Sequence, residues 1–165
     1  MPSTISGSDN FSTANTVLQI VSTQRSDLFT GTVAIPIDDT IPQISEGDQI
    51  FSLSITPKKA TSFLVLEVVL YATSGSNRFY YTGAVFRNGA ADAVGAGVCR
   101  FPTDQQISPL PISFRVNSNS TATTTFTVRA GSDLANANFY LNGNGSGRRF
   151  GGVLFSSFKI TEVSA

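Results

Sequence analysis

The sequence contains no histidine and no tryptophan, and it has one cysteine and one methionine among 165 residues. Without histidine, the chain cannot form a Ser-His-acid or Cys-His nucleophilic site, and it lacks the ligand that most catalytic zinc sites use. A single cysteine, Cys99, excludes an intrachain disulfide, and its small apolar neighbours favour a buried structural role. These absences predict a protein that is not an enzyme, with no catalytic residue, metal site or cofactor.

Charge is also scarce, because only 13% of the residues are charged and 11 basic residues balance 11 acidic ones. Typical globular proteins have about twice that charged fraction. Neither sign forms a long block, so binding to nucleic acid or to an anionic membrane is not predicted. Polarity comes from Ser, Thr, Asn and Gln, whose neutral groups a partner can cover at lower cost than a charge. This composition fits a surface covered in an assembly, or simply a Ser/Thr-rich β surface.

The N-terminus differs from the rest of the chain. Residues 1–16 are small and polar, with Ile5 and Phe11 as apolar anchors, and they lack the basic region and apolar run of a signal peptide. No segment approaches the roughly 18 apolar residues of a membrane span. We predict an N-terminal arm over 1–16 that binds a partner through Ile5 and Phe11, followed by one domain over 17–165.

The domain consists of short β-patterned runs separated by Gly, Pro, Asn and Asp, which predicts an all-β, antiparallel sandwich or barrel of about ten strands. The run from Ser62 to Thr73 is apolar on both faces, which predicts a central strand, and Asn88-Gly89 predicts a tight hairpin turn. The predicted strands are Val17 to Thr23, Phe29 to Ile35, Gln49 to Thr56, Ser62 to Thr73, Phe79 to Arg87, Val94 to Phe101, Ile112 to Val116, Thr123 to Arg129, Ala137 to Leu141 and Val153 to Val163.

Two loops could carry chemistry. Asp38, Asp39, Glu46 and Asp48 lie in one loop. Turn-forming roles are favoured because Asp is a preferred turn residue, while a calcium site and a carboxylate pair for glycan cleavage remain alternatives. The glycine-rich segment LNGNGSGRRFGG lacks the Lys-Ser/Thr ending of a phosphate-binding loop, so it predicts a hairpin loop.

Four segments carry a family resemblance: VAIPIDDTIPQISEGDQIF, TFTVRAGS, FYLNGNGSGRRFGG and SSFKITEV. Together they resemble a phage virion domain found at tail-fibre ends and in short free-standing virion proteins, over residues 17 to 163. The resemblance implies a jelly roll similar to that of the tumour necrosis factor and complement globular-head group, which forms tight trimers. It implies no catalytic residues.

The resemblance leads to three functional hypotheses. The first is a homotrimeric capsid decoration or head-fibre protein in the virion, attached to other virion proteins by its arm, with Phe79, Tyr81, Phe155 and Phe158 at the trimer interface. The second is a receptor-binding tip of a tail fibre or spike that recognises host glycan through loops 74–77 and 142–149. The third, a glycan-cleaving enzyme, rests on the loop acids, and loss of turnover in Asp39→Asn would locate its site.

Overall fold

The computed structural model describes residues 15–75, 80–101, 105–135 and 137–165. These residues form twelve β-strands and a short 3₁₀ turn at Phe150–Gly152, and no helix among them is long and apolar enough to span a membrane. The strands are β1 Val17–Arg25, β2 Phe29–Gly31, β3 Asp48–Ile55, β4 Phe63–Ser74, β5 Tyr80–Arg87, β6 Gly95–Arg100, β7 Ser108–Asn117, β8 Thr124–Ser132, β9 Phe139–Leu141, β10 Gly143–Asn144, β11 Gly147–Arg148 and β12 Ser156–Val163.

Two main antiparallel sheets pack face to face. In the first sheet β1 pairs with β12, β12 with β4, and β4 with β7, while short β9 and β2 extend the sheet beyond the end of β12. The second sheet has the order β3-β8-β5-β6. From β2 to β9 the chain crosses from one sheet to the other at every step except β5 to β6, which fits the antiparallel jelly roll that the resemblance implies.

Strand β4 is the central strand of the first sheet, as its two apolar faces predict. Its partners are β12 on one side and β7 on the other. One face is fully buried in the core and the other is only partly buried; the buried face carries Leu64, Leu66, Val68 and Leu70, and the outward face carries Phe63, Val65, Val69 and Tyr71. A single chain thus covers only one of the two apolar faces of β4.

Tyr81 of β5 organises the core between the sheets. Its ring stacks on Phe101 with a centroid separation of 4.7 Å and an interplanar angle of 9°. Its hydroxyl donates to the carbonyl oxygen of Ser108, on the first sheet, at 2.9 Å. Burial raises the pKa of Tyr81 far above its usual value, so this hydroxyl remains a hydrogen-bond donor.

Two strands are at least three residues shorter in the structure than the sequence predicts. The run from Phe29 ends at Gly31, because the Asp48 carboxylate accepts the next two backbone N–H groups, those of Thr32 and Val33, at 2.7 and 2.9 Å. The run predicted from Val153 begins at Ser156, because the preceding 3₁₀ turn contains three consecutive residues with positive φ, Phe150 to Gly152. In both places the backbone leaves the sheet earlier than predicted. Its N–H groups bond to the Asp48 carboxylate in the first case and within the 3₁₀ turn in the second.

Candidate assembly surface

The outward side of the first sheet is an uncovered surface that carries many apolar side chains. We call it the outer face. Side chains alternate strictly here. Phe158 and Ile160 of β12 are fully buried, while the residue that follows each of them, Lys159 and Thr161, is half-buried. The outer face consists of Ile20, Ser22 and Gln24 of β1; Ser157, Lys159, Thr161 and Val163 of β12; Phe63, Val65, Glu67, Val69 and Tyr71 of β4; and Pro109, Pro111, Ser113, Arg115 and Asn117 of β7.

The loop that precedes β12 enlarges this surface with exposed apolar side chains. Phe150, Val153 and Phe155 are 73%, 79% and 43% exposed. A cavity of about 210 Å³ lies between this loop and the outer face, where Val153 and Phe155 meet Val69 and Tyr71. The loop and the sheet therefore form one continuous apolar patch, and patches of this kind mark interaction sites on soluble proteins.

The charges of the outer face are largely compensated within the chain. Lys159 Nζ lies 2.7 Å from Glu67 Oε2, with the two side chains 44% and 42% exposed. Arg115 lies over the ring of Phe63, 4.6 Å from its centroid. Next to the ion pair, a cavity of about 380 Å³ is lined by neutral polar side chains that include Ser22 and Gln24. The outer face therefore mixes apolar side chains with mostly neutral polar ones, and Lys159 and Glu67 neutralise each other within the chain.

The structure separates the residues that the sequence analysis assigns to a trimer interface. Phe155 is 43% exposed and lines the cavity beside the outer face, and its place at a trimer interface stays a prediction. Tyr81 and Phe158 are fully buried in the core of one chain, so the expectation is corrected for these two residues, because their side chains cannot reach a partner. Phe79, and the arm residues Ile5 and Phe11, lie outside the described residues.

Sequence reasoning considered Tyr71 for core or interface packing but did not place Val69 or Ile20 on a surface. A signal for Val69 existed, because the second apolar face of the run from Ser62 to Thr73 contains Val69 and Tyr71. Ile20, 58% exposed, lies on β1 opposite Thr161 and has no comparable signal in its own segment.

The acidic loop uses its carboxylates in turns, as predicted. Asp38 accepts the N–H and the hydroxyl of Thr40 at 2.9 and 2.5 Å, and these bonds hold the pKa of Asp38 below its usual range. Glu46 accepts the N–H of Gln43 at 2.8 Å. Among the described residues, no three acidic or cysteine side chains gather as a metal site would require. The glycine-rich segment forms the predicted hairpin, with β10 paired to β11.

Comparison with known proteins identifies the fold. No protein-family model matches the chain, and no curated protein matches it in sequence. Among solved structures, Eiger TNF from S. frugiperda superposes with a TM-score of 0.50 at 11% identity, over 88% of this chain and 94% of that chain. The VP2 subviral particle of infectious bursal disease virus gives a TM-score of 0.40 at 14% identity, over 92% of this chain but 39% of that one. The likeness to Eiger TNF shows that the chain has a jelly-roll fold.

Proposed function

We propose that the protein is a homotrimeric structural protein of the virion surface of a tailed phage, and that the outer face forms the contact between its three copies. One observation carries the proposal: the outer face combines apolar side chains with mostly neutral polar ones, and a single chain leaves it uncovered. On this proposal the protein performs no catalysis, consistent with a sequence that contains no histidine.

The size of the apolar patch favours association of copies. Fully burying a Val or Phe side chain contributes about 1.5–3 kcal/mol. The patch combines the half-exposed Ile20 and Phe155, the more exposed Phe150 and Val153, and the partly buried residues of β4. The free energy gained by burying all of these side chains is comparable to the roughly 4–15 kcal/mol that association costs in lost freedom of motion. A stable oligomer is therefore energetically reasonable without help from another protein.

Threefold symmetry is favoured by the family that the sequence resembles, whose jelly rolls form tight trimers. A closed ring also gives every copy the same contacts and leaves no patch unpaired. An open chain of copies would leave an unpaired patch at each end. We further propose that the arm over residues 1–16 attaches the trimer to other virion proteins, as a capsid decoration or head-fibre protein would be attached.

Sedimentation equilibrium of the full chain tests the assembly. We expect a mass three times that of the 17.5 kDa chain. In Val69→Glu, a new carboxylate on the outer face would lie near Glu67 and would lose its water on assembly, so this variant should sediment as a monomer.

Val98→Glu is the matched control, because Val98 is exposed on β6 of the other sheet. This variant should remain a trimer. A monomeric wild-type chain at high concentration, or a Val69→Glu variant that still assembles, would rule out the outer face as the contact.

A further inference from the structure

A second uncovered apolar surface lies on the opposite side of the molecule, on the outward side of the second sheet. Residues 36–42 cross over β6 and form a trough between the loop and residues 93–98. Two adjoining cavities of about 250 and 310 Å³ form the trough, and both are lined by Thr40, Pro42 and Ala96. Its walls carry exposed aliphatic side chains, namely Ile37 at 50%, Ile41 at 55%, Val94 at 37% and Val98 at 53%.

One buried polar group in the trough lacks a hydrogen-bond partner among the described residues. Thr82 of β5 lines the first cavity and is only 6% exposed. Its hydroxyl has no hydrogen-bond partner among the described residues. A buried hydroxyl without a partner is costly, so it needs an explanation in a native protein. A ligand that enters the trough and forms a hydrogen bond with Thr82 Oγ1 provides one.

The shape of the trough fits an extended peptide. The trough follows β6 over the five positions from Val94 to Val98, which span about 13 Å of extended chain. A peptide of that length presents apolar side chains to the aliphatic walls and backbone amide groups to the Thr82 hydroxyl.

The charges at the trough favour a basic peptide. Asp38 lines the first cavity, and no Lys or Arg is among the described residues that line either cavity. Asp39 follows Asp38 in the chain, and Asp92 lies beside the second cavity, next to Ala93, where it accepts a hydrogen bond from Gln43 at 2.9 Å. Acidic side chains beside an apolar trough complement a peptide that carries basic and apolar side chains.

We propose that the trough binds an extended peptide segment of a partner protein, in which an apolar side chain is followed closely by a Lys or Arg. The apolar side chain fills the space between Ile37 and Val98, the basic group pairs with Asp38, and a backbone amide group bonds to the Thr82 hydroxyl. This site is separate from the outer face and does not depend on trimer formation.

Selection from a random-peptide library against the full-length protein tests the proposal. Enriched peptides should share an apolar residue followed within one or two positions by Lys or Arg. They should lose binding to Val98→Glu and keep it for Val69→Glu, so each variant serves as the control for the other surface. Failure of this site is thereby distinguished from failure of the trimer.

A second measurement addresses the Thr82 hydroxyl. Thr82→Val removes the hydroxyl, so the best peptide should bind about fivefold to tenfold more weakly. Because that hydroxyl has no hydrogen-bond partner within residues 15–75, 80–101, 105–135 and 137–165, the thermal midpoint should stay the same or rise. Thr127→Val is the matched control, since Thr127 also has an unpartnered buried hydroxyl but lies on β8, away from the trough; it should leave peptide binding unchanged.

Several outcomes would overturn the assignment. The selection could enrich no peptide, or the enriched peptides could bind Val98→Glu as tightly as the wild type. The enriched peptides could also lack a basic residue. Enrichment of sequences that match residues 1–14 would assign the trough to the chain's own N-terminus instead of a partner. A loss of stability in Thr82→Val would mean that the hydroxyl already has a partner in the free protein.

Discussion

Glu162 is the most completely satisfied buried charge among the described residues. Its side chain lies at the end of β12 with no exposed surface. One carboxylate oxygen accepts the N–H groups of Lys58 and Lys59 at 2.9 and 3.1 Å and the hydroxyl of Ser62 at 2.7 Å. The other accepts the side-chain amide of Gln19 at 2.6 Å. This carboxylate joins β1, β12 and the loop before β4 at one end of the sandwich.

These bonds predict a pH-dependent contribution to stability. Burial alone would raise the pKa of Glu162, but the donated hydrogen bonds outweigh it and lower the pKa below its ordinary value. A lowered folded-state pKa stabilises the fold above the unfolded-state pKa, and the contribution is lost as the pH falls through the folded-state value. Glu162→Gln should therefore lower the free energy of unfolding by about 2 kcal/mol at neutral pH. The difference from wild type should shrink as the pH falls below about 4, measured by urea denaturation.

Glu67→Gln is the control for this measurement. Glu67 lies on the same sheet, but its ion pair with Lys159 is more than two-fifths exposed, and exposed pairs contribute little. Under conditions that keep the chain monomeric, this variant should unfold close to wild type at every pH. An equal loss in both variants would contradict the special role of the buried network.

Single residues also show where sequence reasoning about the interface failed. Phe155 and Phe158 were assigned to one interface because both are aromatic. They are three positions apart in the predicted strand from Val153, where side chains alternate with a period of two, so that strand would direct the two rings to opposite sides of the sheet. Alternation alone could have excluded one of them, and the buried neighbour Ile160 identifies Phe158 as the inward one.

Among the elements, the hairpin turn after β5 was correctly predicted and can be tested. Asn88 and Gly89 both have positive φ, 53° and 70°, and the N–H of Ala90 donates to the carbonyl of Arg87 at 3.0 Å. A Cβ added at Gly89 would meet no atom within 4 Å. Gly89→Ala should therefore cost only the backbone strain of the left-handed conformation, about 1 kcal/mol in chemical denaturation.

Gly89→Asn separates strain from crowding. Asn tolerates the left-handed region better than Ala although its side chain is larger. It should therefore unfold closer to wild type than Gly89→Ala. The reverse order would show that space, and not φ, determines the choice of glycine.

The sequence was sufficient to predict where the long strands lie, but not which strands pair with each other. Local alternation and turn residues located the long strands, including β4 with its two apolar faces. The neighbours of β4 lie far along the chain, since Leu64 pairs with Glu162 and with Val116. No local pattern contains that information, and without the resemblance the sequence allowed a sandwich or a barrel. The two-residue strands β10 and β11 are too short to show any periodicity.

At the scale of the whole molecule, the two uncovered surfaces lie on opposite sides of the sandwich. The outer face belongs to the sheet of β4, and the trough lies on the sheet of β6. A trimer that covers the outer face would leave the trough of each copy open. One jelly roll can therefore assemble through one sheet and bind a partner segment through the other, so assembly and partner binding need not compete.

The position of the protein in a virion is the last prediction. Cryo-electron microscopy of the intact phage should show trimeric jelly rolls arrayed on the capsid, with residues 1–16 against the capsid protein. Such an array requires only stable contacts, which suits a sequence in which only 13% of the residues are charged. Copies found only at the tail extremity would contradict decoration and favour the receptor-binding hypothesis. Loops 74–77 and 142–149 would then become the surface to mutate, and glycan binding the activity to measure.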